Sequence, residues 1–449
     1  MSALDVGEAV AASLWRGRHL RTTIGIFALG FMIAFEYLAV ATVMPDVAAG
    51  LDGLSLYAVA FSAPIGVSVV GYAVSGPAID RSGPRRALDL GVLVFAAGLV
   101  LSGLAPTMLV FVAGRAVQGF GSGMVGTALY VVVAQAYPER LRPRAFTVLT
   151  GAWVLPALVG PVAAAWVADA ASWRWVFLGV PGLSVLAWLL VRGAPSRARG
   201  DDSGPPARVG WAVAASVGVL LVSVAGQGDV VLWPVLLAAA AAVVLVAGPR
   251  LLPVGTWRGA RGLPSVIGTR GLVGAAFAGA EAYVPLMLTL ERGLTLTDAG
   301  WVLTVGAVTW FGGSWVVIRV PALHDEVRRV RLGIVLLTAG LAVFATAAAD
   351  GVPLLVPVLG WGVAGLGIGM AFSTLSVLTL AAAPEGEEGR ASSALQLNDG
   401  LVQSLVLALG SALFAGFAHS SPVAGATLLV VIAAGIAAVS LAPSARLRS

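Results

Sequence analysis

The chain has 449 residues, of which 59% are hydrophobic and only 11% charged, and its mean hydropathy is +0.95. Soluble domains are roughly 45–50% apolar and about 25% charged, so there are too few polar residues here to coat a water-soluble surface. The chain reads as an all-α integral membrane protein. Its net charge of +5 does not point to nucleic acid, because the basic residues are scattered in short clusters between apolar runs rather than gathered on one domain. Cysteine is absent, which excludes disulfides, thiolate metal sites and cysteine nucleophiles. Lysine is absent too, so all 27 basic residues are arginine, as expected from a GC-rich bacterial genome. The first apolar run is too long for the core of a cleavable signal peptide.

A membrane span needs about 20 apolar residues. Taken in chain order, the apolar runs predict spans over 22–45, 55–77, 87–105, 108–134, 145–169, 173–192, 210–226, 229–248, 269–290, 297–319, 331–348, 352–380, 391–417 and 422–442. That makes fourteen. The seventh and eighth are short and rich in Ala and Val, and the polar turn Gly226-Gln227-Gly228-Asp229 joins them. The arginines between these runs orient the chain through the positive-inside rule. Arg16, Arg18 and Arg21 precede the first span; Arg81, Arg85 and Arg86 follow the second; Arg140, Arg142 and Arg144 follow the fourth. Arg192, Arg197, Arg199 and Arg208 follow the sixth, and Arg250, Arg258, Arg261 and Arg270 the eighth. Arg319, Arg328, Arg329 and Arg331 follow the tenth, Arg390 the twelfth, and Arg446 and Arg448 the last. All of these fall on one side if both termini are cytoplasmic. The exceptions are Arg115, inside the fourth span, and Arg174 and Arg292, on the outer side.

The segment 193–209 is rich in Gly, Pro, Ser and charge, as a connection outside the membrane should be. Six spans precede it and six follow residue 268. The parse is therefore an N-terminal six-helix bundle over 1–192, linkers and a two-helix insert over 193–268, and a C-terminal six-helix bundle over 269–449. Glu36 and Glu281, in spans one and nine, stand 245 residues apart, and the same offset takes Leu56 to Trp301. Repeated halves of this kind build many transporters.

Four groups of residues carry chemistry. Between spans two and three stands Gly76-Pro77-Ala78-Ile79-Asp80-Arg81-Ser82-Gly83-Pro84-Arg85-Arg86. Asp80 beside Arg81, Arg85 and Arg86, with Gly83 in the turn, can form charge-assisted bonds across helices and act as a latch. Arg115 in Gly114-Arg115-Ala116-Val117-Gln118-Gly119 lies inside an apolar run, where a charge costs at least about 2.5–3.5 kcal/mol and marks a functional candidate. Rise per residue places Glu36 about 9 Å and Arg115 about 12 Å below the outer face, so the two can meet if spans one and four are neighbours. Span five carries Gly151, Pro156, Gly160 and Pro161, which allow close helix contact and a kink. Glu281 lies near the midplane and Asp399, within Gln396-Leu397-Asn398-Asp399, nearer the cytoplasmic face. Carboxyls at such depths either exchange protons or attract cations.

The loop after span two resembles the G-x-x-x-D-R-x-G-x-R-R signature of the major facilitator superfamily, with Pro84 where a basic residue is usual. Gly114–Gly119 resembles its R-x-x-Q-G motif. Gly151, Gly160 and Pro161 resemble the antiporter motif of drug exporters, with Ala164 and Ala165 in place of the final glycines. Trp173-Arg174-Trp175-Val176-Phe177 is similar to the W-R-W-x-F motif of the fourteen-helix drug:proton antiporters. The resemblance implies two six-helix bundles with a two-helix insert, alternating access, and export of amphipathic drugs or related small molecules against an inward proton flow. It also implies a monomer in the bacterial inner membrane. Glu36, Arg115, Glu281 and Asp399 are then the proton-coupling candidates; the choice between proton and substrate stays open for Glu281 and Asp399. Tyr37, Gln118, Trp153, Tyr283, Trp310 and Asn398 are candidates for the substrate cavity, while Trp301 and Trp315 fit a cavity or a lipid face equally. Export of a single endogenous metabolite or lipid fits the same motifs.

His19, His324 and His419 lie in separate polar segments, so no metal site is expected. No phosphate-binding G-x-x-x-x-G-K-[ST] run exists, so ATP-driven transport by this chain alone is not expected, nor any other cofactor. No catalytic constellation or sizeable soluble domain indicates an enzyme. The glycines from Gly360 to Gly369 lack a strand context and read as close helix packing.

Overall fold

The structure is a computed structural model that describes residues 13–198, 207–225, 233–320, 325–415, 417 and 420–447. Apolar surroundings leave a backbone no partner but itself, and the chain answers with helices. They are α1 (Gly17–Gly50), α2 (Tyr57–Ser82), α3 (Pro84–Gly103), α4 (Met108–Ala136), α5 (Arg142–Ala170), α6 (Trp173–Leu178), α7 (Val180–Val191), α8 (Val209–Ala225), α9 (Trp233–Leu251), α10 (Leu263–Glu281), α11 (Val284–Arg292), α12 (Leu296–Arg319), α13 (Glu326–Ala345), α14 (Leu355–Ala382), α15 (Glu388–Ala415), α16 (Pro422–Val439) and α17 (Leu441–Ser444). Proline stands in the first turn of α3, α5, α7, α10, α11 and α16, where its fixed φ suits the helix and its missing N–H is not needed. Thr107, Thr295 and Asp325 cap the starts of α4, α12 and α13.

Among the described residues, thirteen segments are long and apolar enough to cross a membrane, and Val209–Val222 is a shorter apolar helix. The fourteen expected spans return as these thirteen and the short seventh. The expected turn Gly226–Asp229 and much of the linker, 199–206, lie outside the described residues. Two spans are broken: the sixth at Gly179, between α6 and α7, and the ninth at Ala282-Tyr283, between α10 and α11.

The helices form two compact units. The first comprises residues 1–220 with 383–396, the second 221–382 with 397–449. The two-helix insert is divided between them. In the first unit Leu220 of α8 lies against Gly66 of α2; in the second, Leu237 and Ala240 of α9 pack with Ala408 of α15. The core of the first unit contains Phe95, Leu99, Phe111 and Phe177. That of the second contains Phe277, Ile334, Phe344, Trp361 and Ile368.

Each unit is built on one glycine-rich helix wedged between two others, and the contacts repeat. A Cβ on Gly98 of α3 would strike the Gln118 amide of α4; a Cβ on Gly340 of α13 would strike the Ala364 amide of α14. Gly121 meets Phe95 as Gly367 meets Leu337, and Gly123 meets Ser68 and Gly71 as Gly369 meets Trp310 and Gly313. Gly360–Gly369 is thus the close packing surface expected. The offset differs from the 245 read in the sequence: α2 and α3 repeat in α12 and α13 after 242 residues and α4 in α14 after 246, so Leu56 corresponds to Asp298 rather than to Trp301. Arg115, between Gly114 and Gly119, corresponds to Trp361, between Gly360 and Gly365.

The two arginines that break the positive-inside pattern have a structural explanation. Arg174 donates to the carbonyls of Gly103 and Ala105 at 3.0 and 2.8 Å, at the C-terminus of α3. Arg292 donates to Ala347 at 2.7 Å, to Val352 and Ala349 at 2.9 Å each, and to Thr346 at 3.3 Å, just past α13. The last carbonyls of a helix lack intrahelical donors and carry the negative end of its dipole, which a guanidinium satisfies.

Candidate functional site

The first unit encloses a buried ion pair. Glu36 of α1 is fully buried, and its Oε2 lies 3.7 Å from Nη1 of Arg115 on α4. That guanidinium does not hydrogen-bond the carboxylate. Nη1 donates instead to Gln118 Oε1 at 2.6 Å, and Nε to the Ala60 carbonyl at 3.5 Å. Both oxygens of Glu36 are left without a hydrogen-bond donor. The contact expected from depth is therefore present, as a loose pairing of charges rather than a closed salt bridge. Gln118, expected in the substrate cavity, is instead buried and turned to Arg115: one helical turn separates the two residues, so their side chains share a face.

Asp80 ends α2 within the same unit, but its partners are not the neighbouring arginines. Its Oδ1 accepts from the Gly389 amide at 2.6 Å; Oδ2 accepts from the Arg390 amide at 3.1 Å and from Arg390 Nη1 at 3.4 Å. Asp80 thus caps the N-terminus of α15, where unpaired amides and the helix dipole favour an anion. Arg81, Arg85 and Arg86 are exposed. Gly83 joins α2 to α3 with φ of 79°, a conformation that penalises any side chain.

The second unit holds another buried pair. Arg270 was expected in the loop before span nine, yet α10 begins earlier, at Leu263, and Arg270 is 2% exposed inside it. Its Nε donates to Asp399 Oδ2 of α15 at 2.9 Å, Nη1 donates to Ser376 of α14, and the guanidinium lies 3.7 Å over the Phe372 ring. Asp399 Oδ1 has no donor. Asn398 does not line a cavity: it is fully buried, accepting from Trp257 Nε1 at 3.0 Å and donating to the Ile267 carbonyl at 2.8 Å.

Glu281 differs from both acids. It ends α10 at the break before α11, and its side chain is exposed. Residues 273–277, which cover every face of α10, are all buried, so Glu281 stands where an encased helix first opens. Tyr283, two residues on, packs on Phe414 at 5.4 Å. Trp310 lies between Phe277 and Phe372 at 5.1 and 5.4 Å. In the first unit Tyr37 and Trp153, about half exposed, meet edge to face at 6.1 Å. Trp301 and Trp315 are exposed. Gly151, Gly160 and Pro161 lie in α5, which runs unbroken from Arg142 to Ala170; a Cβ on Gly160 would sit at an ordinary 3.6 Å from Phe35.

No group of metal-ligating side chains occurs among the described residues. His19 packs on Tyr137 at 5.2 Å; His324 and His419 lie outside the described residues. Arg270, Arg390 and Trp257 were not foreseen. The sequence signals for the underlying repeat are the shared glycine spacings of 71, 91, 98 with 313, 333, 340 and of 114, 119, 121, 123 with 360, 365, 367, 369.

Comparison with known proteins agrees with this architecture. The family model of the Major Facilitator Superfamily matches residues 26–407. A Mycobacterium tuberculosis protein named "Probable multidrug-efflux transporter" is 27% identical over 405 residues, covering 85% of each chain. An Aspergillus aculeatus "Acurin A biosynthesis cluster MFS-type transporter" is 32% identical over 161 residues, 35% of this chain and 29% of that one. Among solved structures, the human organic anion transporter MFSD10 matches with a TM-score of 0.72 at 13% identity, covering 94% of this chain and 99% of that one. The proton:xylose symporter XylE matches at 0.68 and 15%, covering 94% of each. These two likenesses show the fold. With a family model spanning most of its length and the helical membrane architecture described above, the chain belongs to the Major Facilitator Superfamily.

Proposed function

We propose that this transporter exports amphipathic small molecules by alternating access, driven by protons moving inward. The observation that carries the reading is Glu36: a fully buried carboxyl with no hydrogen bond within 3.5 Å, 3.7 Å from a buried arginine and influenced by the Gln118 side chain. An ionised carboxylate held this way lacks the bonds that repay desolvation, so a proton binds and leaves as water reaches it from either side. Arg115 stays charged and favours release. Glu281, exposed at a helix break, receives the cationic or polar part of the substrate or a second proton, and the Arg270–Asp399 pair contributes a further exchangeable carboxyl. Tyr37 and Trp153, exposed and in mutual contact, offer an aromatic surface to the apolar part. The bonds from Asp80 to the start of α15 form the latch, made in one conformation and released in another. The chain works as a monomer in a bacterial plasma membrane with both termini cytoplasmic. Relatives named for multidrug efflux support the direction of transport and the breadth of substrate.

The test is ethidium transport in proteoliposomes with an imposed pH gradient. Glu36→Gln is expected to abolish gradient-driven transport while leaving passive counterflow, since only proton exchange is removed. Full gradient-driven transport by Glu36→Gln would reject Glu36 as the proton site. Similarity over one segment to a transporter of a biosynthesis cluster favours a second reading, export of a single metabolite. Competition of ethidium efflux by a panel of unrelated amphiphiles decides between them, because a dedicated exporter ignores the panel.

A further inference from the structure

The loop from Leu252 to Gly262 joins the second insert helix, α9, to α10, and its central side chain reaches into the second unit's charge cluster. The Trp257 ring lies over Gly248 of α9, where a Cβ would collide with it. Its Nε1 donates to Asn398 Oδ1 at 3.0 Å. Asn398 is fully buried and its other end donates to the Ile267 carbonyl at 2.8 Å. The Asn398 amide sits so close over Gly271 that no Cβ fits there. One turn of α10, from Ile267 to Gly271, therefore receives both Asn398 and, through Arg270, Asp399. The loop is itself anchored: Arg446 Nη1 donates to the Gly259 carbonyl at 3.1 Å, and the Gly262 amide donates to the Arg446 carbonyl at 3.1 Å.

Successive residues on a helix point about 100° apart, so fixing Asn398 at both ends of its amide fixes the rotation of α15 and with it the direction of Asp399. We infer that Trp257 is a positioning residue for the Arg270–Asp399 pair, acting through Asn398. The two-helix insert is then more than a spacer, since α9 provides the seat for the indole that aims the acid at its arginine. Without the indole N–H, Asn398 Oδ1 is a buried acceptor with no donor. Asn398 turns to find one, and Asp399 turns with it.

The inference rests on the proposed reading of Asp399 as an exchangeable carboxyl, and the test separates the two. Dicyclohexylcarbodiimide adds to protonated carboxyls in apolar surroundings, and peptide mass spectrometry reads the adduct site by site. The full chain in nanodiscs is labelled as wild type, Trp257→Phe, Asn398→Ala, the double variant of these two, and Arg270→Gln, with Glu36 labelling in the same molecules as the internal reference. Trp257→Phe removes the N–H and, with it, the outer ring that lies over Gly248; Asn398→Ala, which removes the acceptor and leaves the indole on Gly248, is its control. Expected is weak labelling of Asp399 in the wild type. Trp257→Phe and Asn398→Ala should each raise it several-fold relative to Glu36, and the double variant no further than either single. Labelling of Asp399 that rises in Arg270→Gln but stays at the wild-type level in Trp257→Phe overturns the role of Trp257 and leaves the proton reading standing. A parallel rise at Glu36 in Trp257→Phe marks general loosening and also overturns it. No rise in Arg270→Gln means that Asp399 does not protonate even without its cation, and the underlying reading fails. Should Arg270→Gln not fold, the Trp257→Phe and Asn398→Ala results, read against Glu36, decide the proposal.

Discussion

Single residues in this chain are committed by what surrounds them, and the three acids of the apolar interior differ for that reason. Glu36 is enclosed and loosely paired, Asp399 is enclosed and bonded to its arginine, and Glu281 is open at a helix end. Arg292 shows how strongly geometry bears on one side chain. Its four bonds use the planar fork of the guanidinium on carbonyls between Thr346 and Val352, which an ammonium group cannot reproduce. Arg292→Lys is therefore expected to lower stability by about 1.5–3 kcal/mol, the range for bonds to charged groups, seen as a lower melting temperature in detergent. Because Arg292 ends α11, eleven residues beyond Glu281, ethidium transport per folded molecule should be unchanged; a selective loss of transport would assign Arg292 to function instead.

At the scale of elements, packing distinguishes glycines that the sequence presents alike. Gly340 has backbone from α14 where its Cβ would go, whereas Gly160 has only a van der Waals neighbour in Phe35. Gly340→Val is expected to cost about 1–3 kcal/mol or more through overpacking. Gly160→Ala should leave both the melting temperature and the transport rate near those of the wild type. A severe transport defect in Gly160→Ala with normal stability would show that α5 must bend at this point during the cycle. The helices were largely legible from apolar run length, and the Glu36–Arg115 contact from depth together with the adjacency of spans one and four that the resemblance implies, since two opposite charges in apolar runs at similar depth have few other partners. Arg270 was misplaced because α10 starts at Leu263, with Pro264 in its first turn, six residues before the apolar run that marked the span. Asn398 was misread because a polar residue in an apolar helix looks the same whether it faces water or a partner, and its partner Trp257 is 141 residues away.

For the whole molecule, the distribution of arginine predicts one orientation, and the absence of native cysteine makes it directly testable. Ala198, after α7, and Asp350, before α14, are exposed, and the fourteen-span topology places them on opposite sides. In intact cells a membrane-impermeant maleimide is expected to label Asp350→Cys and not Ala198→Cys, with the pattern reversed in inverted vesicles. The opposite result would turn the whole topology over. The two units share a packing scheme but not a charge scheme: where the first has Arg115, the second has Trp361, stacked on Phe277 at 4.6 Å. That position carries ionisable chemistry in one half and aromatic packing in the other.

The Arg270–Asp399 pairing also constrains how the protein is made. Its members are 129 residues apart in the chain. A ribosome feeding a membrane from the N-terminus delivers Glu36 before Arg115, so the acid is already waiting when the first buried arginine arrives. In the second unit the order is reversed. Arg270 enters with α10, four membrane crossings before α15 brings its acid. A chain stopped just before Asp399 is therefore expected to be degraded faster than one stopped just after α15, which pulse-chase of truncated chains measures.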